Sequence, residues 1–331
     1  AKAKAKTKLD SLLRILYFYC LVVRIMVMAQ ENPAAARPLS LKKDQPALEH
    51  WDLHLPKYVP LGTSKRGNTP EEVMGQIENT FTTPPSETVD VRDNGYLNGT
   101  EKTKDARKTS SAEALYTVVG VNVFRSKKSL DHISSKVQSL KDYIKKHGAK
   151  TKSGLPQFLV VTWIFKSAWK REYTSVVHLF KLNIDFEASP NGEEMGFERA
   201  IRGFLDGDKK VKSEKLKFAF SIDEGSTKIK KAVNMLGGDR PVLIGKALTT
   251  HFFEGEHYLE INQDVGSSMV AKMLNSTILK ASGGMVASTS WMIEAQEEKE
   301  LPERVLAIVR WHYVKLDDVC IQLDDNFALV N

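Results

Sequence analysis

Two runs near the C-terminal end, Met285–Ala295 and Arg304–Val314, alternate at a period of two. In the first, Ala287, Thr289, Trp291 and Ile293 fall on one side. In the second, Val305, Ala307, Val309, Trp311 and Tyr313 oppose Leu306, Ile308, Arg310 and His312. A strand turns successive side chains to opposite faces, so each run needs two distinct surroundings. Glu300–Pro302 supplies a turn between them. The pair reads as neighbouring strands of an antiparallel sheet.

More of the chain fits such a sheet. Leu115–Phe124 and Lys215–Ile222 read as strands, and Glu172–Ile184 alternates with Val176, His178, Phe180 and Leu182 on one side. His178 reads as a satisfied sheet histidine ahead of a base. Phe158–Phe165 is apolar on both faces and reads as a central strand. Helical faces interleave. Leu130, Ile133, Val137, Leu140 and Ile144 form one within Ser129–His147, whose other face carries Lys136, Lys141, Lys145 and Lys146. Phe197, Ile201, Phe204 and Leu205 form another, ended by Asp206-Gly207-Asp208, a capping turn and not a calcium loop. A third starts at Gly225-Ser226-Thr227 and carries Ile229, Val233 and Leu236. The expected fold is α+β: a mostly antiparallel, curved sheet of about seven strands with four to five covering helices. A parallel α/β sheet is the alternative, and the strong alternation argues against it.

Val242–Met273 holds the densest set of signals. Lys246–Phe253 and His257–Val265 are β-like and flank Glu254-Gly255-Glu256, which marks a hairpin. Leu259 and Ile261 point one way, Tyr258, Glu260 and Asn262 the other. Asp264-Val265-Gly266-Ser267-Ser268 follows, then a helical pattern through Met269, Met273 and Ile278. Gly266 permits a sharp turn, and Ser267 or Ser268 can cap the helix. Free N–H groups at such a turn suit an anion; an ordinary cap that binds nothing is the plainer reading.

Five pieces carry a family resemblance: Phe204-Leu205-Asp206-Gly207-Asp208, Leu243-Ile244-Gly245-Lys246-Ala247-Leu248-Thr249, Tyr258-Leu259-Glu260-Ile261, Asp264-Val265-Gly266-Ser267-Ser268 and Glu300-Leu301-Pro302-Glu303. In order and spacing the chain resembles the C-terminal domain of plant enhanced disease resistance 2 proteins, a domain also found alone in plants and algae. The family has no settled biochemical activity. In the larger plant proteins the domain follows a phosphoinositide-binding and a lipid-transfer-like module, and those proteins act in defence and cell-death control. The resemblance implies a regulatory, lipid- or membrane-linked domain. The family's opening Arg, Gly, Tyr and Lys pattern is similar to Arg92, Gly95 and Tyr96 followed by Lys102, Lys104 and Lys108. That match sets one domain over 48–325, with a linker at 29–47 and a long loop at 60–83. Trp51 reads as a docking anchor. His50 and His54 are spaced like helical metal ligands but have Pro56 beside them and no third ligand.

The net charge of +7 points to an anionic partner, but residues 1–28 hold +5 of it. The remaining 303 residues carry +2, so nucleic acid is disfavoured as a partner of the body. Three readings of residues 1–28 compete. A basic stretch before an apolar one fits a signal peptide. Tyr17, Phe18 and Tyr19 fit an interfacial anchor. A chain starting at Ala1, with Met26 and Met28 downstream, fits a segment foreign to the native protein. Ile15–Val23 is too short to span a bilayer, which takes about 20 residues. The body is expected in the cytoplasm, peripheral on membranes; a genuine tail makes it anchored or secretory. Two cysteines, Cys20 and Cys320, give no disulfide scaffold and no Cys-based zinc site.

Known catalytic signatures are missing. Gly245-Lys246 lacks the P-loop's earlier glycine, since position 240 is Arg240, and Ala247 replaces its Ser or Thr. There is no nucleophile elbow, HExxH, GxGxxG after a strand or kinase set. The chain is expected to be no enzyme and to need no cofactor or metal. Candidate anion or headgroup ligands are Arg92, Lys104, Lys246, Gly266, Ser267 and Ser268. A protein-interaction scaffold built on the Lys-rich helix or on the loop before residue 88 is the alternative function, and an unrecognised enzyme the second. Motif positions with a structural reading are Trp51, Tyr96, Asp206, Gly207, Asp208, Gly245, Tyr258, Glu260 and Asp264.

Overall fold

The computed structural model describes residues 57–58, 78–100, 103–167, 171–186, 195–225, 240–267 and 282–330. Its first part holds strands β1 (Lys57–Tyr58), β2 (Thr80–Thr82), β3 (Asp90–Arg92), β4 (Lys108–Ser110) and β5 (Tyr116–Ser126). Helices α1 (Ile133–Lys136) and α2 (Gln138–His147), strands β6 (Phe158–Lys166) and β7 (Tyr173–Leu182), and helices α3 (Gly196–Asp206) and α4 (Lys209–Lys215) follow. Strand β8 (Leu216–Glu224), helix α5 (Ile244–Ala247) and strands β9 (Thr249–Glu254), β10 (Tyr258–Asp264), β11 (Val286–Ile293), β12 (Val305–His312) and β13 (Cys320–Gln322) complete the set.

Both C-terminal runs are strands and antiparallel neighbours, with Thr289 opposite Val309 and Trp291 opposite Ala307. The hairpin also forms, β9 against β10. The sheet, however, is larger than expected and mixed. Eleven described strands join it, and β3 and β4 form a separate pair. Four pairings are parallel: β1 with β2, β6 with β10, and β5 with both β12 and β13. The long β6–β10 pairing is parallel, and β6 is apolar on both faces, as strands in parallel pairings commonly are. The strands missed are two or three residues long, too short to show a period.

The junction of β5 and β12 bends the sheet. Only Tyr116 and Thr117 pair with Ala307 and Ile308. Farther along, the same edge of β5 accepts β13 at Cys320–Gln322 instead. The two halves, β9-β10-β6-β7-β5 and β8-β11-β12-β2, thus diverge from one corner and face one another across a common apolar interior. That inner face carries Val121, Val161, Val176, Phe180, Ile261 and Trp291, with Ala200, Ile201 and Phe204 of α3 packed on it. On the outer face, Leu130, Ile133, Val137, Leu140 and Ile144 pack on Phe158, Val160, Val177 and Leu179. The helical stripe read in the sequence is therefore the buried one, and Lys136, Lys141, Lys145 and Lys146 are exposed.

Two local expectations need correction. Ser129–His147 is not one helix: Val137 is extended, at φ −88 and ψ 111, and separates α1 from α2. Lys246 begins no strand; it lies in the single turn of α5, and β9 starts at Thr249. Gly245 explains that turn. A Cβ there would lie 2.4 Å from the Ser213 carbonyl oxygen, so α5 and the backbone of α4 meet where only glycine fits. Helix α4 itself was not foreseen. Asp208 caps it by accepting the Val211 N–H at 2.9 Å, and Gly207 ends α3, as the capping reading required. The expected helices over 229–236 and 269–278 lie outside the described residues, as does most of the expected loop at 60–83. The last residues of that loop form β2.

Candidate ligand-binding site

Pairing across three strands puts His178 of β7 between Val121 of β5 and Val161 of β6, on the inner face. It is fully buried. Its Nδ1–H donates to the Val161 carbonyl at 2.9 Å, so the neutral ring leaves a lone pair on Nε2. That lone pair has no partner. Three indoles surround the ring: Trp163 at 4.8 Å, Trp311 at 5.1 Å and Trp291 at 5.2 Å between centroids, each at a steep angle. Phe180 stacks at 6.1 Å. Trp163 donates its Nε1–H to Gln263 Oε1 at 2.8 Å.

The remaining polar atoms of this cluster are unsatisfied. The Nε1–H groups of Trp291 and Trp311, the Gln263 amide nitrogen and the Thr289 hydroxyl are buried without a hydrogen-bond partner. A buried polar group left unpaired costs about 1–3 kcal/mol, and several in one place call for a missing partner. Trp163, Phe220, Phe252 and Trp311 on this face are only partly buried, so part of the aromatic wall stays accessible. His178 Nε2 is not hydrogen-bonded to any hydroxyl, thiol or carboxylate. Among the described residues no group of three or more His, Cys, Asp or Glu side chains is placed to hold a metal ion.

Burial pushes the His178 pKa down to about 4, and the hydrogen bond to Val161 opposes it. His312 is also pushed to about 4, by burial first and by Arg310 second. In the unfolded chain both imidazoles bind a proton near pH 6.5. Between those values the unfolded state holds more protons, so their contribution is full above pH 6.5 and is lost as pH falls toward 4. Urea midpoints should drop from about pH 7 to about pH 5, and His178→Gln should flatten the drop. Equal slopes in the variant and the parent would place the dependence elsewhere.

The residues singled out from the sequence fall in other places. The Arg92 guanidinium pairs with Glu294 at 2.8 Å, lies 3.8 Å from Glu303, and donates to the Ala295 carbonyl at 3.2 Å. Burial works against its charge, and Glu303 and Glu294 outweigh it, raising its pKa. The Tyr96 ring lies 4.8 Å from the Arg92 guanidinium carbon and 6.0 Å from Lys104 Nζ. Lys246 is exposed on α5. Ser267 donates to the Asp264 carbonyl at 2.7 Å and accepts the Thr249 N–H at 3.2 Å, tying the end of β10 to the start of β9. Gly266 lies in the same short turn. Trp51 and Ser268 lie outside the described residues.

The motif residues are joints. Tyr258 shares a 2.9 Å hydrogen bond with His132, and Glu260 accepts the N–H groups of Ile133 and Ser134 at 2.7 and 2.9 Å. Glu303 pairs with Lys217 and accepts the Ala295 N–H at 2.9 Å; Glu300 pairs with Lys215. Gly196 at the head of α3 would put a Cβ 1.9 Å from the Leu301 carbonyl oxygen, so that helix docks directly on this turn.

A comparison of the whole sequence with protein families matches residues 81–315 to the family described as Protein ENHANCED DISEASE RESISTANCE 2, C-terminal. The chain belongs to this family. A curated relative, Protein ENHANCED DISEASE RESISTANCE 2-like from Arabidopsis thaliana, is 26% identical over 217 residues. The alignment covers 66% of this chain and 27% of that relative. No solved structure matches the chain. All five motif pieces lie inside the matched segment, so the resemblance read from them is the family itself. Among the described residues of this family member, no helix is long and apolar enough to cross a membrane.

The His178 cluster was missed in the sequence. Its members come from β6, β7, β10, β11 and β12, and only the closure of the sheet brings them together. The available signal was the inward alternation of Trp291 and Trp311 next to that of His178, which fixes a face but not a meeting point.

Proposed function

We propose that this domain is a non-catalytic regulatory module whose inner sheet face holds a lipid or another apolar ligand. One observation carries the reading: the buried aromatic wall around His178 contains polar atoms with no protein partner. Ligand sites are mostly apolar with a few placed polar groups, which is the composition of this wall. Family membership supports the regulatory part. Peripheral contact with a membrane is part of the same proposal, since loading a lipid requires access to one.

Native mass spectrometry of the full chain, purified from a eukaryotic host, tests this. The expected result is an added mass of lipid size that is lost on organic extraction. A lipid-free, folded protein would overturn the reading. It would favour a protein-interaction scaffold, for which the exposed Lys136, Lys141 and Lys145 on the helical face opposite the buried stripe are the best supported surface.

A further inference from the structure

The cluster around His178 also selects among ligands, if the site holds one as proposed above. Its unpartnered atoms are unequal in kind. His178 Nε2 can only accept, given that Nδ1–H is committed to Val161. The Trp291 and Trp311 N–H groups can only donate, and so can the Gln263 amide nitrogen, whose carbonyl is taken by Trp163. Thr289 can do either. The set therefore offers one bare acceptor and several donors. No member of it carries a charge that could compensate an ionised headgroup, and an unpaired charge is strongly disfavoured in such surroundings.

We propose that the inner face binds an uncharged lipid bearing a hydroxyl group, such as a long-chain alcohol, a sterol or an acylglycerol. The hydroxyl donates to His178 Nε2 and accepts from an indole N–H of Trp291 or Trp311. One O–H thus satisfies the acceptor and at least one donor, which neither a carboxylate nor a hydrocarbon does. The apolar remainder lies along the accessible rings of Trp163, Phe220 and Phe252. Buried water can satisfy the same atoms, and the test separates that case.

The test uses the full chain, with oleyl alcohol and oleate as probes and tryptophan emission as the signal, since three indoles adjoin the site. Oleyl alcohol should bind and shift the emission, and oleate should bind at least about tenfold more weakly. Trp311→Phe and Trp291→Phe each keep an aromatic ring and remove one N–H, so one of the two should weaken oleyl alcohol about fivefold, and unchanged affinity in both would overturn the inference. His178→Asn, which removes Nε2, should then weaken it by a similar factor whichever indole donates. Equal or tighter binding of oleate, or co-purification of a phospholipid, would overturn this inference and leave a lipid-binding function standing. Unchanged alcohol affinity in His178→Asn would also overturn it. No binding of either probe, together with a lipid-free mass, would assign the orphaned atoms to buried water and overturn both proposals.

Discussion

Glu303→Gln is expected to lower stability by about 3–5 kcal/mol, because it strips the counter-charge from a buried ammonium. Glu303 and Lys217 expose 1% and 6% of their side chains and pair directly. One Glu303 oxygen accepts the Ala295 N–H, and the other accepts the Arg92 N–H at 3.3 Å. Burial drives the Lys217 pKa down, and Glu303 is the first group that opposes it. A glutamine keeps the shape and can still accept from Ala295, but its amide turns donors toward Lys217. The double variant Glu303→Gln with Lys217→Met removes the ammonium as well and should recover most of the loss. A double-mutant cycle in urea measures this coupling. Additive costs for the two single changes would show that the pair does not act as a unit.

This network also bears on the anion-site residues. Glu303, Glu300 and Glu298 of one turn hold the N-terminal segment through Arg92, Gly95 and Asn98, the end of α4 through Lys215 and the start of β8 through Lys217. Arg92 is one of the struts. An anionic headgroup at Arg92 would compete with Glu294 and Glu303 for the same guanidinium. Lys246 and Ser267 lie at the open end of the β9–β10 hairpin, where the anion reading keeps its exposed charge.

What the sequence made legible was what repeats within one element. Alternation in β11 and β12 named two neighbours correctly, because each strand faces unlike surroundings on its two sides. The stripe Leu130–Ile144 named a buried helical face even though Val137 breaks the helix, since the apolar spacing survives the break. Features that depend on distant segments were hidden. The turn at Ile244–Ala247 replaces the strand that its apolar residues favour, because α4 comes within backbone contact of Gly245. The parallel pairing of β6 with β10 joins segments about a hundred residues apart in the chain, and local periodicity carries nothing about such a partner. The orphaned atoms around His178 belong to the same class: each residue looked ordinary in its own strand.

Glu260→Ala should be the second large loss, about 3 kcal/mol, for a different reason. Helix α1 has four residues, too short to hold itself, and its first N–H groups have no partner within the helix. Glu260 reaches from the next layer and accepts two of them, those of Ile133 and Ser134, with no exposure to water. Bonds to a carboxylate at a helix N-terminus are about twice as strong as neutral ones, and the dipole adds to them. Tyr258 and Phe253 hold the preceding His132, whose ring stacks on Phe253 at 4.3 Å, so the hairpin clamps the helical layer at three points. Alanine removes one clamp and leaves two buried donors unpaired. The loss should therefore be local before it is global: amide exchange should rise over 133–147 while β11 and β12 stay protected. Glu260→Gln keeps one acceptor and should lose about half as much. Uniform exchange across the sheet in Glu260→Ala would instead mean that this carboxylate holds the β6–β10 pairing, and that the helical layer depends on its apolar stripe alone.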